Sequence, residues 1–161
     1  ETSYLGTGSD NSGQLRIYNK EGETRSYLGD GYLQAYNQFG ERTIFLGTGT
    51  SGGGYLRTYN FNGQESIYVG TGADSSGQLR IYDLTGETGT FLGNGYLRTY
   101  NQFGKMTTYI GNGKDGGGYL RTNNKFETET TFLGTNNANE GLINLNDKFG
   151  QSFWLRLNKR N

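Results

Sequence analysis

The sequence repeats a triplet made of an aromatic residue, an aliphatic residue and glycine. Its seven copies are Tyr4-Leu5-Gly6, Tyr27-Leu28-Gly29, Phe45-Leu46-Gly47, Tyr68-Val69-Gly70, Phe91-Leu92-Gly93, Tyr109-Ile110-Gly111 and Phe132-Leu133-Gly134. Successive copies are 23, 18 and 23 residues apart, and the same three spacings then occur again. Because regular self-similarity is the signature of repeat architectures, the chain is limited to folds built from one recurring supersecondary unit.

The repeat also has a higher order. Residues 3–66 and 67–130 match at more than half of their positions. We interpret 1–130 as two 64-residue blocks of three β-hairpin repeats each. The segment 131–161 drifts from the pattern and ends in Phe153-Trp154-Leu155. It is interpreted as a divergent terminal repeat with a capping strand.

Each triplet is followed by a second short pattern, of which Leu15-Arg16-Ile17-Tyr18 and Leu56-Arg57-Thr58-Tyr59 are examples. The alternation has a period of two and uses β-branched and aromatic residues, which predicts strands rather than helices. Only 31% of the residues are hydrophobic and 29 are glycine, so aliphatic side chains are scarce for a compact core.

Turn residues separate these strands at two kinds of site. Asp30-Gly31 and Asn94-Gly95 predict two-residue type I′ hairpin turns, and the long units insert five residues at the same place. The return connection is Asn-x-x-Gly, as in 37–40, which predicts a four-residue loop ending in a left-handed glycine. The fold class is therefore all-β, with tandem antiparallel β-hairpin repeats in short units such as 27–44 and long units such as 45–67.

These turns predict a register and two unlike faces. With Asp30-Gly31 as the loop, Leu28 lies opposite Leu33 and Tyr27 lies opposite Gln34. A four-residue return loop then places Ile44 opposite Leu33. One face carries a narrow aliphatic stripe, and the other carries tyrosines with arginine or glutamine.

The aliphatic stripe must be covered, because each fully buried leucine contributes roughly 1.5–3 kcal/mol and one hairpin cannot bury its own. Another sheet, another turn of the same chain or another chain could cover it, and we favour another chain. The expected molecule is therefore elongated and homo-oligomeric. The architectural alternatives are a β-propeller-like arrangement and a single-chain β-solenoid.

Several function classes are disfavoured by composition. The chain has no His and no Cys, so catalysis is not expected, and neither is a cofactor. A formal net charge of zero argues against nucleic-acid binding, and no apolar run approaches the roughly 20 residues needed for membrane insertion. The inserted loops offer one carboxylate each at Asp10, Asp74 and Asp115, which is too few oxygen ligands to predict a metal site.

The best candidate site residues are the tyrosines and planar polar side chains that recur on one face. Flat aromatic rings beside planar hydrogen-bond donors suit sugar rings, although cross-strand tyrosines also stabilise sheets by roughly 0.2–1 kcal/mol per pair. The candidates for glycan binding are Tyr18 with Arg16, Tyr36 with Gln34, Tyr59 with Arg57, Tyr82 with Arg80, and Tyr100 with Arg98.

The pattern Leu-Gly-x-Gly-x-x-x-x-Gly-x-Leu-Arg-x-Tyr-Asn-x-x-Gly, seen at 5–22, resembles repeats in the fibrous shafts of phage tail fibres and bacterial surface adhesins. The resemblance covers about residues 3–150. It implies a trimer at an extracellular, cell-surface or virion location, and a structural or adhesive fibre segment without catalysis. The alternative from another class is a monomeric repeat lectin that binds a cell-surface glycan through its Tyr/Arg face.

Overall fold

A computed structural model of the chain describes residues 2–50, 52–114, 116–136 and 138–153. Trp154 and Leu155, which the sequence suggests as part of a cap, lie outside the described residues. The described part of the chain contains no helix long and apolar enough to cross a membrane. Its strands are β1 Ser3–Thr7, β2 Gly13–Tyr18, β3 Thr24–Gly29, β4 Tyr32–Tyr36, β5 Arg42–Thr48, β6 Gly54–Tyr59, β7 Glu65–Thr71, β8 Gly77–Tyr82, β9 Thr88–Gly93, β10 Tyr96–Tyr100, β11 Met106–Asn112, β12 Gly118–Asn123, β13 Glu129–Thr135, β14 Gly141–Asn146 and β15 Ser152–Phe153.

The strands fall into two units, of which the first ends at Glu87 and the second begins at Thr88. Within the first unit, β1 to β8 pair antiparallel in chain order, and within the second β9 to β15 do the same. This up-and-down pairing confirms the all-β hairpin repeats. It differs from a solenoid, whose coils pair in parallel, and β1 to β8 do not divide into four-stranded propeller blades.

The turns of the short hairpin repeats have the type that the sequence predicts. Asp30 and Gly31 have φ values of 50° and 76°, and Asn94 and Gly95 have values of 50° and 77°. Two successive positive φ angles define the type I′ turn, whose twist matches that of the strands it joins. As a result, Tyr27 lies opposite Gln34 and Leu28 opposite Leu33, which confirms this part of the predicted register.

The return turns differ from the four-residue loops that the sequence suggests. The Asn37 amide donates to the Glu41 carbonyl and the Gly40 amide to the Asn37 carbonyl, which leaves a three-residue loop ending in left-handed Gly40. A β-bulge follows at once, at the register shift beside Tyr36. Leu33 therefore pairs with Leu46 and Ala35 with Ile44, so the expected pairing of Ile44 with Leu33 is wrong by two residues.

Because of the bulge, each side chain still lies on its predicted face although the register differs from the prediction. A shift of two residues preserves the side of the sheet on which each side chain lies, because the side-chain period of a strand is two. In several of the bulges the extra residue is a threonine whose hydroxyl donates a hydrogen bond to a carbonyl of the neighbouring strand. Thr107 Oγ1 donates to the Thr99 carbonyl at 3.2 Å, and Thr130 Oγ1 donates to the Thr122 carbonyl at 3.2 Å.

One face of each unit carries a continuous row of aliphatic side chains, here called the leucine row. Its members are Leu5, Leu15, Leu28, Leu33, Leu46, Leu56, Val69 and Leu79 in the first unit, and Leu92, Leu97, Ile110, Leu120, Leu133 and Ile143 in the second. Leu28 is 50% exposed and Leu46 51%. Among the described hydrophobic residues only Tyr109 is buried, so neither unit encloses a conventional core.

The asparagine or aspartate side chain that opens each described return turn supports that turn through hydrogen bonds to its amides. Asn37 Oδ1 accepts hydrogen bonds from the amides of Phe39 and Glu41 at 2.9 and 3.1 Å, and its Nδ2 donates to Glu41 Oε2 at 2.8 Å. Asn37→Ala is expected to lower the free energy of unfolding by about 1–2 kcal/mol, because two turn amides lose their acceptor. Urea unfolding followed by circular dichroism measures the change.

Gln38→Ala, one residue further along the same turn, is the matched control, and its effect is expected to stay within about 0.5 kcal/mol. Equal losses for the two variants would contradict the role assigned to the Asn37 side chain.

Candidate functional site: the aromatic and arginine face

The face opposite the leucine row carries aromatic and planar polar side chains in strict alternation. In the first unit the row runs Tyr4, Arg16, Tyr27, Gln34, Phe45, Arg57, Tyr68 and Arg80 across eight strands. In the second it runs Phe91, Arg98, Tyr109, Arg121, Phe132 and Asn144. The alternation arises because the triplet aromatic of one strand always pairs with the polar residue of the next.

A second set of tyrosines fills the gaps between these aromatic residues. Tyr32 and Tyr55 enter from β4 and β6, and each lies opposite glycine on a neighbouring strand. Continuous stacks of five rings result, with centroids 5.2–5.8 Å apart in the first unit and 4.7–5.5 Å apart in the second. The ring stacks are Tyr27, Tyr32, Phe45, Tyr55 and Tyr68, and then Phe91, Tyr96, Tyr109, Tyr119 and Phe132.

The triplet glycines make room for these rings. A Cβ atom on Gly47 would stand 2.8 Å from both the Phe45 ring and Tyr32 Cβ. One on Gly70 would stand 2.8 Å from the Gly54 carbonyl oxygen. The Tyr68 hydroxyl reaches past Gly70 to donate to the Thr71 carbonyl at 2.7 Å. The glycine of the triplet is therefore required because the ring lies directly over it.

Gly70→Ala is expected to destabilise the sheet by about 1–3 kcal/mol, because the new methyl group would collide with backbone and with Tyr55. Gly77→Ala, on the next strand, is the matched control, since a Cβ there meets no atom within 4 Å. Thermal unfolding of the two variants provides the comparison. A Gly77→Ala variant as unstable as Gly70→Ala would show that general backbone effects, not ring contact, govern these positions.

Four of the five tyrosines suggested by the sequence form a third row, next to the bulges, and the fifth, Tyr82, ends β8. Tyr18 pairs with Thr24, Tyr36 with Arg42, Tyr59 with Glu65, and Tyr100 with Met106. The Tyr36 hydroxyl donates to Gln34 Oε1. Their polar partners lie two residues away on the same strand and the same face, in the alternating row of aromatic and polar residues that begins at Tyr4 in the first unit and at Phe91 in the second, here called the central row. These partners are Arg16, Gln34, Arg57, Arg80 and Arg98.

The arginines of the central row lie mainly against rings of the stacks rather than against the tyrosines proposed from the sequence. Arg98 Cζ lies 4.3 Å from the Tyr96 centroid and Arg57 Cζ lies 4.8 Å from that of Tyr55. The Nε atoms of Arg98 and Arg121 are buried without a hydrogen-bond acceptor among the described residues. Stacking on aromatic faces therefore has a large share in holding these guanidinium groups in place.

The stack residues themselves were missed as site candidates. Tyr27 and Tyr32 fall on the Tyr/Arg face by the period-two alternation, but alternation alone does not show that their rings stack across strands. The usable signal was Gly29, which follows Tyr27 on the same face and pairs with Tyr32. A run of alternating tyrosine and glycine across paired strands leaves space for rings to lean over.

The first ring of the stack, Tyr27, has a raised pKa. Burial, hydrogen bonding with Tyr32 and the negative charge of Asp30 raise the pKa of Tyr27 to about 12, from an ordinary value of 10.0. The Tyr27 hydroxyl donates to Asp30 Oδ2 at 3.3 Å. In the adjacent loop, hydrogen bonds from the hydroxyl and amide of Ser12 lower the pKa of Asp10.

The Tyr27 shift predicts a loss of stability at alkaline pH. Between pH 10 and about 12 the unfolded chain has released this proton and the folded chain retains it, so stability falls as the pH rises through that window. Tyr27→Phe is expected to reduce the slope of unfolding midpoint against pH, and Asp30→Asn to reduce it partly. A slope identical in wild type and Tyr27→Phe would contradict this assignment.

No group of three or more potential metal-ligating side chains occurs among the described residues. In the inserted loops, Asp10 Oδ1 accepts hydrogen bonds from Ser12 N and Oγ, and Asp74 Oδ1 accepts the same pair from Ser76. Both aspartates thus support their own turns. Asp115 lies outside the described part of the chain.

Neither the known protein-family models nor the curated protein sequences include a match to this chain. Its own surfaces are therefore the basis for a proposed function.

Proposed function

We propose that this chain is a structural or adhesive segment of a fibre, built as in phage tail fibres or bacterial surface proteins, in which identical chains cover one another's leucine rows. The observation that carries the proposal is the exposure of that row. A chain whose described hydrophobic residues are all at least partly exposed, apart from Tyr109, leaves most of its apolar surface for another molecule.

A second copy of this chain is the occupant that fits the leucine row best. The row is continuous from strand to strand, so an identical row offers the same period of about 4.7–4.9 Å per strand. Over Leu28, Leu33, Leu46, Leu56 and Val69 the surface forms an open apolar concavity of about 630 Å³. The formal net charge of zero adds little repulsion between copies.

Three copies are favoured over two because of the resemblance to trimeric shafts. Strands of five to seven residues make each sheet narrow, roughly 17–24 Å across at about 3.3–3.4 Å per residue. Three narrow sheets with their leucine rows directed inward would enclose a shared core. Such a fibre requires no catalysis, and its expected location is extracellular, at a cell surface or on a virion.

Mass in solution tests this proposal. We expect sedimentation equilibrium to give three times the 17.8 kDa of one chain. Leu46→Asp with Leu56→Asp is expected to lower the mass to that of a single chain, because charge would be placed at the centre of the shared core. The matched control is Phe39→Asp, which changes a 76% exposed turn residue outside the leucine row and should keep the wild-type mass.

A wild-type chain that remains monomeric, or a Phe39→Asp variant that dissociates while the double leucine variant does not, would refute the fibre assembly.

Glycan binding through the Tyr/Arg face is the second candidate function. Planar polar groups lie beside accessible tyrosines there: Tyr36 donates to Gln34, and Arg42 Cζ lies 4.8 Å from the Tyr59 centroid. Flat aromatic rings beside planar hydrogen-bonding groups suit sugar rings, which stack by their apolar faces. A monomeric lectin and an adhesive fibre both accommodate such a face, so this candidate is tested separately from the mass.

A further inference from the structure

The ring stack of the first unit ends at Tyr27, and a polar cleft lies where it ends. On β4 and β6 the position opposite the triplet glycine is Tyr32 or Tyr55, whereas on β2 it is Gln14. Gln14 pairs with both Gly6 and Gly29 and contributes no ring. The substitution leaves a cleft of about 380 Å³ at this end of the stack, a volume in the range of small-molecule sites.

We propose that this cleft binds one neutral pyranose ring of a glycan, an inference that rests on the glycan-binding candidate and assigns it a particular site. The lining of the cleft includes Asp10, Gln14, Arg16, Tyr27, Asp30 and Gln34. Its surface thus combines aromatic rings with carboxylate, amide and guanidinium groups.

Tyr27 supplies the apolar contact. One side of its ring contacts Tyr32, with centroids 5.2 Å apart and the two ring planes tilted by 33°. Its strand faces β2 on the other side, where Arg16 Cζ lies 5.3 Å from the ring centroid. The neighbouring Gln14 side chain is the smaller, polar replacement for a further ring. The apolar face of a sugar fits against such a terminal ring, as another aromatic ring does elsewhere in the stack.

The polar groups around Tyr27 match vicinal hydroxyls. Gln14 Oε1 accepts from Arg16 Nε and Nη2 at 3.2 and 3.1 Å, so its amide nitrogen remains a donor for a ligand. Asp30 accepts one hydrogen bond from Tyr27, at 3.3 Å, and a carboxylate can accept several. These groups provide donors and acceptors side by side, which is what adjacent sugar hydroxyls need.

Charge selects a neutral sugar. Asp10 and Asp30 both line the cleft, and hydrogen bonding with Ser12 favours the charged form of Asp10. The single guanidinium, on Arg16, is already bound to Gln14. A sugar acid would bring its carboxylate to two aspartates, so we expect neutral pyranosides to bind more tightly than glucuronate.

The decisive variant fills the cleft with the side chain found at the same position elsewhere. Asp10, Gln14 and Arg16 of the first sequence block recur in the second block as Asp74, Gln78 and Arg80, so the variant combines Gln14→Tyr with Gln78→Tyr. Tyrosine at the equivalent register is tolerated on β4, β6, β10 and β12. The double variant should therefore fold, which an unchanged or raised unfolding midpoint would verify.

Its control places the same substitution outside the cleft. Gln38→Tyr with Gln102→Tyr changes two turn glutamines that also occupy equivalent positions in the two blocks. The probes are the methyl glycosides of mannose, galactose and glucose, with methyl glucuronide as the charged comparison. Binding to the full chain is followed by saturation-transfer difference NMR during titration.

We expect at least one neutral methyl glycoside to saturate the wild-type chain. Affinity should fall at least about tenfold in Gln14→Tyr/Gln78→Tyr and remain unchanged in Gln38→Tyr/Gln102→Tyr. Absence of saturation transfer from every glycoside, or equal affinity in the cleft-filling variant and wild type, would overturn the site. Tighter binding of the glucuronide than of the neutral glycosides would overturn its selectivity.

Sedimentation of the same samples separates this outcome from that of the fibre proposal. A trimer that binds none of the sugars retains the fibre and loses the cleft. A monomer that binds a neutral glycoside through Gln14 retains the cleft and loses the fibre.

Discussion

The stacking of aromatic rings over glycine is the interaction on which each unit depends. Among the described residues almost no side chain is buried, so this part of the chain lacks the enclosed hydrophobic interior that supports ordinary domains. Cross-strand ring contacts of about 0.5–1.5 kcal/mol each, added to the backbone hydrogen bonds, take over part of that role. These contacts form only because the residue beside each ring is glycine, as the close approach of Phe45 to Gly47 illustrates.

The two faces differ in how far contacts within one chain cover their side chains. The ring stack satisfies itself within one chain, since its rings contact one another and its arginines lie against the rings. In the leucine row, each side chain lies beside row members on the adjacent strands, and its outer side is exposed to solvent. Stability within a unit therefore depends on the face that carries the rings, whereas the association between chains that we propose would use the opposite face, so a change on one need not disturb the other.

Much of this fold follows from sequence, and the errors have physical causes. The pairing of Tyr27 with Gln34 and the type I′ turn at Asp30-Gly31 are fixed by local chemistry, because few residues tolerate two positive φ angles in succession. The pairing expected for Ile44 is wrong because a loop of three residues plus a bulge gives the same face pattern as a loop of four. Alternation alone cannot distinguish registers that differ by two residues.

The site was harder to predict than the fold. Sequence reasoning selected tyrosines such as Tyr59 and Tyr100 because they share a strand with an arginine. Ring stacking joins residues on different strands and becomes visible only once the register is known. The cleft beside Tyr27 is harder still, since it results from a glutamine, Gln14, at a register where β4, β6, β10 and β12 carry tyrosine. The consequence of that difference is visible only once the ring stack is known.

Pairing between consecutive strands has a consequence for the history of the chain. Each hairpin touches only the hairpins before and after it within its unit, so removing or adding one alters two junctions and leaves the remaining contacts intact. Unequal recombination between similar coding segments can therefore lengthen or shorten such a protein without passing through an unfolded product. The duplication of the three-hairpin block is the expected record of one such event, and related genes should differ by whole hairpins.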